Sequence, residues 1–302
     1  MITTFEELLQ IARARGPKKV AVACAQDEDV LLAIHDAYQK GIVEAVLVGD
    51  VEAIETIAAE HHIDLEPFEM IDIKDLAEAS LKAVSMVSSG EAQMVMKGLV
   101  DTSVILKAVL NKEVGLRTGN ALSHVAVFSV PSYHKLLMVT DAAMNIAPDV
   151  NTKKEIIENA LQVAKALDIE LPKVGVICAK EKVEPKMQAT VDAAELVRMN
   201  EAGDIKGCIV GGPFGLDNAI SKEAAKLKKI THPAAGDCDI LLCPTIEAGN
   251  VLYKALGFLA QAASAGVIVG AKAPIILTSR ADDEETKLNS IALAVLMAAA
   301  QE

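Results

Sequence analysis

Residues 19–48 read KVAVACAQDEDVLLAIHDAYQKGIVEAVLV, and this stretch decides the fold. Its two ends, Lys19–Cys24 and Val43–Val48, are short valine-rich runs that read as strands, and Val30–Lys40 between them reads as a helix. The same alternation continues outward. Further strand candidates are Met70–Ile73, Gln93–Met96, Val125–Val130, Leu136–Thr140, Lys173–Cys178, Gly207–Val210, Asp239–Cys243 and Pro274–Thr278. Helical stretches fall between them, at Val51–His62, Leu76–Ser88, Lys153–Leu167 and Ala248–Ala265. A β-α-β-α rhythm predicts an α/β fold with parallel sheets covered by helices on both faces. One place breaks it: Val125–Val130 and Leu136–Thr140 are joined by Pro131-Ser132-Tyr133-His134-Lys135 with no helix. This predicts a hairpin, and a passage between two domains.

The 302 residues suit two medium domains or one large α/β unit. Hydrophobic residues make up 52 %, but aromatics only 3 %, with no tryptophan, so no stacking platform for nucleobases is expected. The net charge of −13 argues against holding nucleic acid by phosphate neutralisation and leaves room for a small anion where a few cations converge. The five cysteines, Cys24, Cys178, Cys208, Cys238 and Cys243, form no C-x-x-C pair and read as buried free thiols of a reducing compartment. Met1–Arg15 is an amphipathic helix pattern without the features of a signal peptide, and no apolar run is long enough to span a membrane. The expected location is the cytoplasm.

In open α/β sheets ligands bind beyond the carboxyl ends of the strands, so chemistry is expected in the residues following each strand. Lys97-Gly98 ends a strand before Asp101-Thr102-Ser103 opens a helix, which suits an anion or, equally, an ordinary capped turn. Asp141 and Asn145 follow Val139-Thr140 and either orient a ligand or catalytic group, or shape the turn. Gly211-Gly212-Pro213 forms a corner at which backbone can approach a ligand, with Asp217 as a helix cap in the alternative. Gly249-Asn250 stands in the first turn of a helix against local propensity, which points to a packing or binding need. Ile275–Thr278 leads into Ser279-Arg280, a guanidinium suited to phosphate beside a hydroxyl that can donate to an oxyanion. The acidic run Asp282–Glu285 then favours a helix start. No H-E-x-x-H, G-x-S-x-G or His/Cys metal spacing occurs. Of the six histidines, only His124 and His134 lie near these segments.

Five segments in order, MVMKGLVDTSVILKAVL, VTDAAMNIAPD, GGPFGLDNAIS, CPTIEAGNVLYKAL and ILTSRADDEETKLNSIALA, resemble the phosphate acetyltransferase and phosphate butyryltransferase family. The likeness runs from Lys19 to the C-terminus, and the last segment and the chain length resemble the butyryltransferase branch. The resemblance implies an isocitrate/isopropylmalate dehydrogenase-like fold with two α/β domains flanking a cleft, residues 1–135 plus 272–302 and residues 136–271. It also implies a homo-oligomer with the second domain at the dimer contact. The implied reaction is reversible exchange of butanoyl between CoA and inorganic phosphate, by direct attack in a ternary complex, giving acyl phosphate. No permanently bound cofactor and no metal are needed. Carried onto this chain, Ser279, Arg280, Asp141 and Asp282 are the catalytic candidates. Lys97, Gly98, Asn145, Gly212, Asn250 and Arg117 are the candidates for binding CoA and phosphate. The proton acceptor falls on Asp282, Asp283 or Glu285, because the aspartate of the acetyltransferase branch has no counterpart at its distance from Ser279. An arginine of the family near Lys97-Gly98 looks replaced by Lys107, with Arg117 as a compensating cation. Other readings of the sequence are a phosphate acetyltransferase, an NAD- and metal-dependent hydroxyacid dehydrogenase, and a non-catalytic CoA-binding protein.

Overall fold

The computed structural model describes residues 1–278 and 282–301. The chain groups into two compact units: Phe5–Asn120 with Ala265–Glu302, called here the terminal unit, and Met1–Thr4 with Ala121–Ser264, the middle unit. The bounds expected from the sequence lay at 135/136 and 271/272.

The terminal unit begins α1 (Phe5–Arg15), β1 (Lys18–Ala23), α2 (Glu28–Gln39), β2 (Val43–Gly49), α3 (Val51–Glu60), β3 (Glu69–Asp72), α4 (Leu76–Ser89), β4 (Met94–Lys97) and α5 (Thr102–Val109). The middle unit contains β5 (Ser123–Ser129), β6 (Leu137–Thr140), α6 (Val150–Ala166), β7 (Lys173–Ile177), α7 (Gln188–Glu201), β8 (Ile209–Phe214), α8 (Leu216–Ile220), α9 (Lys222–Leu227), β9 (Ile240–Leu242) and α10 (Ile246–Lys254), which passes into a π-helical turn at Ala255–Leu259. Then β10 (Ala263–Val269), β11 (Ile275–Ile276) and α11 (Glu284–Ala299) follow.

In the terminal unit the strand order is β3-β2-β1-β4-β11-β10, parallel from β3 to β11, with β10 antiparallel to β11. Ala21 sits between Val46 and Val95 in the centre of this sheet. Val20, Ala21, Val22 and Ala23 are all fully buried, as expected of a strand covered on both faces. Aspartates cap the helices that leave the sheet: Asp27 caps α2, Asp50 caps α3 and Asp75 caps α4, each side chain accepting from a backbone N–H of the first turn. Helix α11 packs on α1 and α2. It is buried on every side from Lys287 to Ala298, a core helix rather than a surface one.

In the middle unit the order is β5-β6-β9-β7-β8, with β5 and β6 antiparallel and the rest parallel. The predicted hairpin is present, with Val127 opposite Met138. Both its strands belong to the middle unit, so it is not the passage between units. A charged network ties its turn to the neighbouring strands. Lys135 donates to Asp239 at 2.6 Å and to the Asp237 carbonyl at 2.9 Å, Lys173 donates to the Asp237 carboxylate at 2.5 Å, and Tyr133 Oη donates to the Cys238 carbonyl at 2.7 Å.

Two elements differ from the sequence expectation. The helix read as Ala248–Ala265 ends in the π turn, and Gln261 takes a positive φ of 51° before β10 begins. The run of small residues Ala263-Ser264-Ala265-Gly266 hides that strand, because it shows no alternation of apolar and polar side chains. Strand β8, expected to stop at Val210, continues through Gly211-Gly212-Pro213 to Phe214, whose carbonyl accepts from Cys178 N at 2.7 Å.

The Asp237 network carries a pH prediction. Burial disfavours the charged carboxylate, but the hydrogen bond from Lys173 and the charge of Lys135 outweigh it and hold Asp237 down at about 2. A depressed carboxyl stabilises the fold above its unfolded value and loses that contribution as pH falls toward 2; the full effect is on the order of 2 kcal/mol. Asp237→Asn should therefore cost roughly that much in urea unfolding at pH 7 and about half as much at pH 3. A pH-independent difference would contradict this assignment.

Candidate functional site

Two clusters of the predicted residues form, one in each unit. In the terminal unit the carboxyl ends of β1 and β4 close on each other. Gly98 N donates to the Ala23 carbonyl and Leu99 N to the Cys24 carbonyl, both at 2.8 Å. A Cβ on Gly98 would lie 2.2 Å from the Cys24 carbonyl oxygen, so no side chain can stand there. The role of Gly98 is this close approach, which leaves Lys97 pointing past the strand end.

Beyond these ends lies a small cavity of about 150 Å3, lined by Lys97, Gly98, Asp27, Asp29, Thr278 and Lys287. Lys97 is buried and donates to the Gly98 carbonyl at 3.1 Å. Lys287, on the first turns of α11, is buried too; its ammonium donates to Asp29 at 3.3 Å and to the carbonyl of Asp282. Asp27 is committed to capping α2 through the N–H of Val30 at 3.1 Å. The cavity stands at the carboxyl ends of parallel strands, where α/β sheets bind ligands. It brings two ammonium groups to one small space, an arrangement suited to an oxyanion.

The remaining predictions for this unit fall as follows. Ser279 and Arg280 lie outside the described residues. On either side of them, Thr278 lines the cavity and the Asp282 carbonyl accepts from Lys287. Asp283 caps α11, and its hydrogen bond from the Thr286 N–H holds its carboxyl below the usual range. Glu285 is exposed in the first turn of α11. Arg117 and Lys107 are exposed and do not line the cavity. Lys287 and Asp29 escaped the sequence reading. The available signal was a single lysine directly before the uncharged run LNSIALAVLMAA.

In the middle unit Asp141 organises the loop after β6. Its Oδ1 accepts from Ala143 N at 2.8 Å and Met144 N at 3.0 Å, and its Oδ2 from Asn145 N at 3.1 Å and Asn145 Nδ2 at 2.6 Å. The same Nδ2 also donates to the Leu122 carbonyl at 2.8 Å. A buried carboxylate with this many donors is spent on holding the loop, so Asp141 acts through position. Gly249 and Asn250 explain their own poor helix propensity. A Cβ on Gly249 would lie 2.2 Å from the Asp141 carbonyl oxygen, and Asn250 Nδ2 donates to the Ala142 carbonyl at 3.2 Å. Ile246 N donates to the Ile146 carbonyl at 2.9 Å, completing the seam between this loop and the start of α10. Thus Asp141, Asn145 and Asn250 are together, while Gly212 is not with them. It lies inside β8, where a Cβ would meet Val176 at 3.0 Å, and Gly211 packs on His232 and Phe214; the expected ligand-facing corner is strand. Asp217 does not cap α8 but pairs with Lys228 at 3.0 Å.

All five cysteines are buried and free. Burial pushes the thiols up, Cys178 and Cys208 to about 11 and Cys238 and Cys243 to about 12, so each is protonated and a poor nucleophile near neutral pH.

Comparison with known proteins adds a second, independent line. The family model described as phosphate acetyl/butaryl transferase matches residues 3–80 and 74–295. The chain is 54 % identical over 299 residues to a phosphate butyryltransferase of Clostridium beijerinckii, covering 99 % of each chain. It is 46 % identical over 294 residues to a phosphate acetyltransferase of Thermotoga maritima, covering 97 % of this chain and 99 % of that one. Among solved structures, a branched-chain phosphotransacylase from Enterococcus faecalis V583 superposes with a TM-score of 0.82 at 35 % identity, covering 93 % of this chain and 99 % of that one.

The seam at Gly249 is testable by the sign of one substitution. Helix propensity alone makes Gly249→Ala stabilising by about 1 kcal/mol. The overlap with the Asp141 carbonyl, which is backbone and cannot swing aside, makes it destabilising by about 1–3 kcal/mol. Chemical unfolding of the two proteins should show a loss, and a gain would remove the seam from the account.

Proposed function

Because the chain belongs to the phosphate acetyl/butaryl transferase family, we propose that it is a phosphate butyryltransferase, an acyltransferase that moves a butanoyl group reversibly between CoA and inorganic phosphate. The observation that carries this reading is near-complete coverage at 54 % and 51 % identity by two clostridial proteins of that name. The cavity at the strand ends, with Lys97 and Lys287 among its lining residues, offers ammonium groups to a phosphate.

In the forward direction a phosphate oxygen attacks the thioester carbonyl carbon. The carbonyl becomes a tetrahedral oxyanion, the C–S bond breaks, and CoA leaves as the thiol, taking through Asp282 the proton that the attacking phosphate gives up. Lys97 and Arg280 hold phosphate, the first from the end of β4 and the second from the segment after Thr278. Ser279 donates to the oxyanion. Asp141, Asn145 and Asn250 keep the β6 loop in shape for CoA. Asp282 is the proposed proton acceptor. Direct attack is preferred to an acyl-cysteine route, because burial keeps the thiols protonated.

The finer fold is taken to be isocitrate/isopropylmalate dehydrogenase-like. In support, 4-hydroxythreonine-4-phosphate dehydrogenase from Klebsiella pneumoniae shares the fold at a TM-score of 0.60 and 11 % identity. A homo-oligomer is supported by Val251, Phe258 and Leu259 in the middle unit, which are 69–85 % exposed. No helix among the described residues is long and apolar enough to cross a membrane; a cytoplasmic location is part of the proposal.

A thiol-release assay across acetyl-, propionyl-, butanoyl- and branched acyl-CoAs tests the reading. Release should require phosphate and be fastest with a four-carbon chain; neighbouring chain lengths should fall by about 10- to 200-fold at most per methylene. Release independent of phosphate would refute it. Ser279→Ala should lower kcat by roughly 10²- to 10³-fold with unfolding unaltered, and unchanged turnover would take Ser279 out of the mechanism.

A further inference from the structure

We propose that Lys287 is a phosphate-binding residue and that Asp29 is its resting counterion, displaced when inorganic phosphate enters the cavity. The proposal rests on the phosphate acyltransferase reading and adds two residues to it.

Three lysine–carboxylate pairs in this chain are built in two different ways. Lys135 and Asp239 are both under a tenth exposed and meet at 2.6 Å. Lys153 and Asp192 are likewise both buried and meet at 2.5 Å. These are structural pairs: both charges leave water, and short, well-made contacts offset the desolvation cost. The Lys287 pair is built differently. The lysine side chain is 4 % exposed, but its partner Asp29 is 48 % exposed and stands 3.3 Å away. That is longer than the 2.7–2.9 Å of a charge-assisted hydrogen bond. Burying an ammonium is costly, and among the described residues this one is met by the half-exposed carboxylate and by the Asp282 carbonyl. The positions that follow Lys287 on α11, from Leu288 to Ala298, are enclosed and carry no charge.

The cavity offers room for a second anion beside that ammonium. Lys287 and Lys97 line the same space of about 150 Å3. That volume corresponds to about five waters at about 30 Å3 each, below the range of about 300–1,000 Å3 typical of ligand pockets. It accepts a small tetrahedral oxyanion and excludes the body of CoA. Among the described residues, four charged side chains line it: Lys97, Lys287, Asp27 and Asp29. Asp27 is fixed by its cap on α2, so Asp29 is the acid with freedom to move into water. Phosphate then takes its place on Lys287, and the Asp282 carbonyl keeps the ammonium aimed at the cavity. No bond is made or broken; the exchange is of one anion for another.

The two substitutions have opposite expected signs, which a purely structural ion pair would not produce. Inorganic phosphate is titrated into the full-length protein by calorimetry without CoA, and KM values for phosphate and butanoyl-CoA are measured. Lys287→Met should raise the phosphate Kd and KM by roughly tenfold or more, with the KM for butanoyl-CoA changed less than about twofold. Asp29→Asn removes the competing anion and should lower the phosphate KM by about two- to fivefold. Lys287→Arg, which keeps the charge, should retain most of the binding. Phosphate binding unchanged in Lys287→Met, or weakened in Asp29→Asn, would overturn the proposal. The second arm holds even where Lys287→Met does not fold. If the wild type binds phosphate, Lys287→Met does not, and no acyl transfer occurs, the reaction assignment fails and the anion pocket stands.

Discussion

At the carboxyl ends of the parallel strands, this chain brings backbone against backbone at distances that admit no side chain. At Gly98 the end of β4 lies on the carbonyl of Cys24, and at Gly249 the start of α10 lies on the carbonyl of Asp141; in each case a Cβ would stand 2.2 Å from the oxygen. The two contacts lie in different units and have the same consequence. Strand ends that would otherwise splay into loops are held as fixed corners, and the polar side chains flanking those corners acquire defined positions. Lys97 beside Gly98, and Asn250 beside Gly249, owe their placement to the absence of a neighbouring Cβ.

What is built on these corners differs. The terminal unit makes a small charged cavity in which two buried ammonium groups stand beside two carboxylates. The middle unit makes a loop whose aspartate is saturated by backbone and amide donors. The first is suited to holding an anion through charge. The second is suited to holding a shape. A transfer from a thioester to phosphate requires both kinds of service, because rate in such a reaction comes largely from positioned donors and a fixed geometry of attack.

The α/β class and most strands were legible from runs such as Val20–Ala23 and Val43–Val48, because a strand buried on both faces leaves an unbroken apolar signature. Strand β10 was not, since Ala263–Gly266 has side chains too small to show a period. The glycines after strands were flagged for the right physical reason at Gly249 and for a different one at Gly212, where strand pairing continues through the glycine pair and its proline. Asp141 and Asn145 read from the sequence as a turn or a site, and the structure shows the turn. Lys287 was invisible because its environment is made by α2, a segment more than two hundred and fifty positions away in the chain. Local pattern carries no information about such a contact. Ser279 and Arg280, by contrast, stood out from the sequence through their chemistry at a strand end.

The account's central claim is that the acyl group passes to phosphate. Phosphorus-31 NMR of the purified protein with butanoyl-CoA and inorganic phosphate tests it most directly. An acyl phosphate resonance should grow at the expense of phosphate, in step with the CoA released. Release of CoA while the phosphate signal stays constant would contradict the claim.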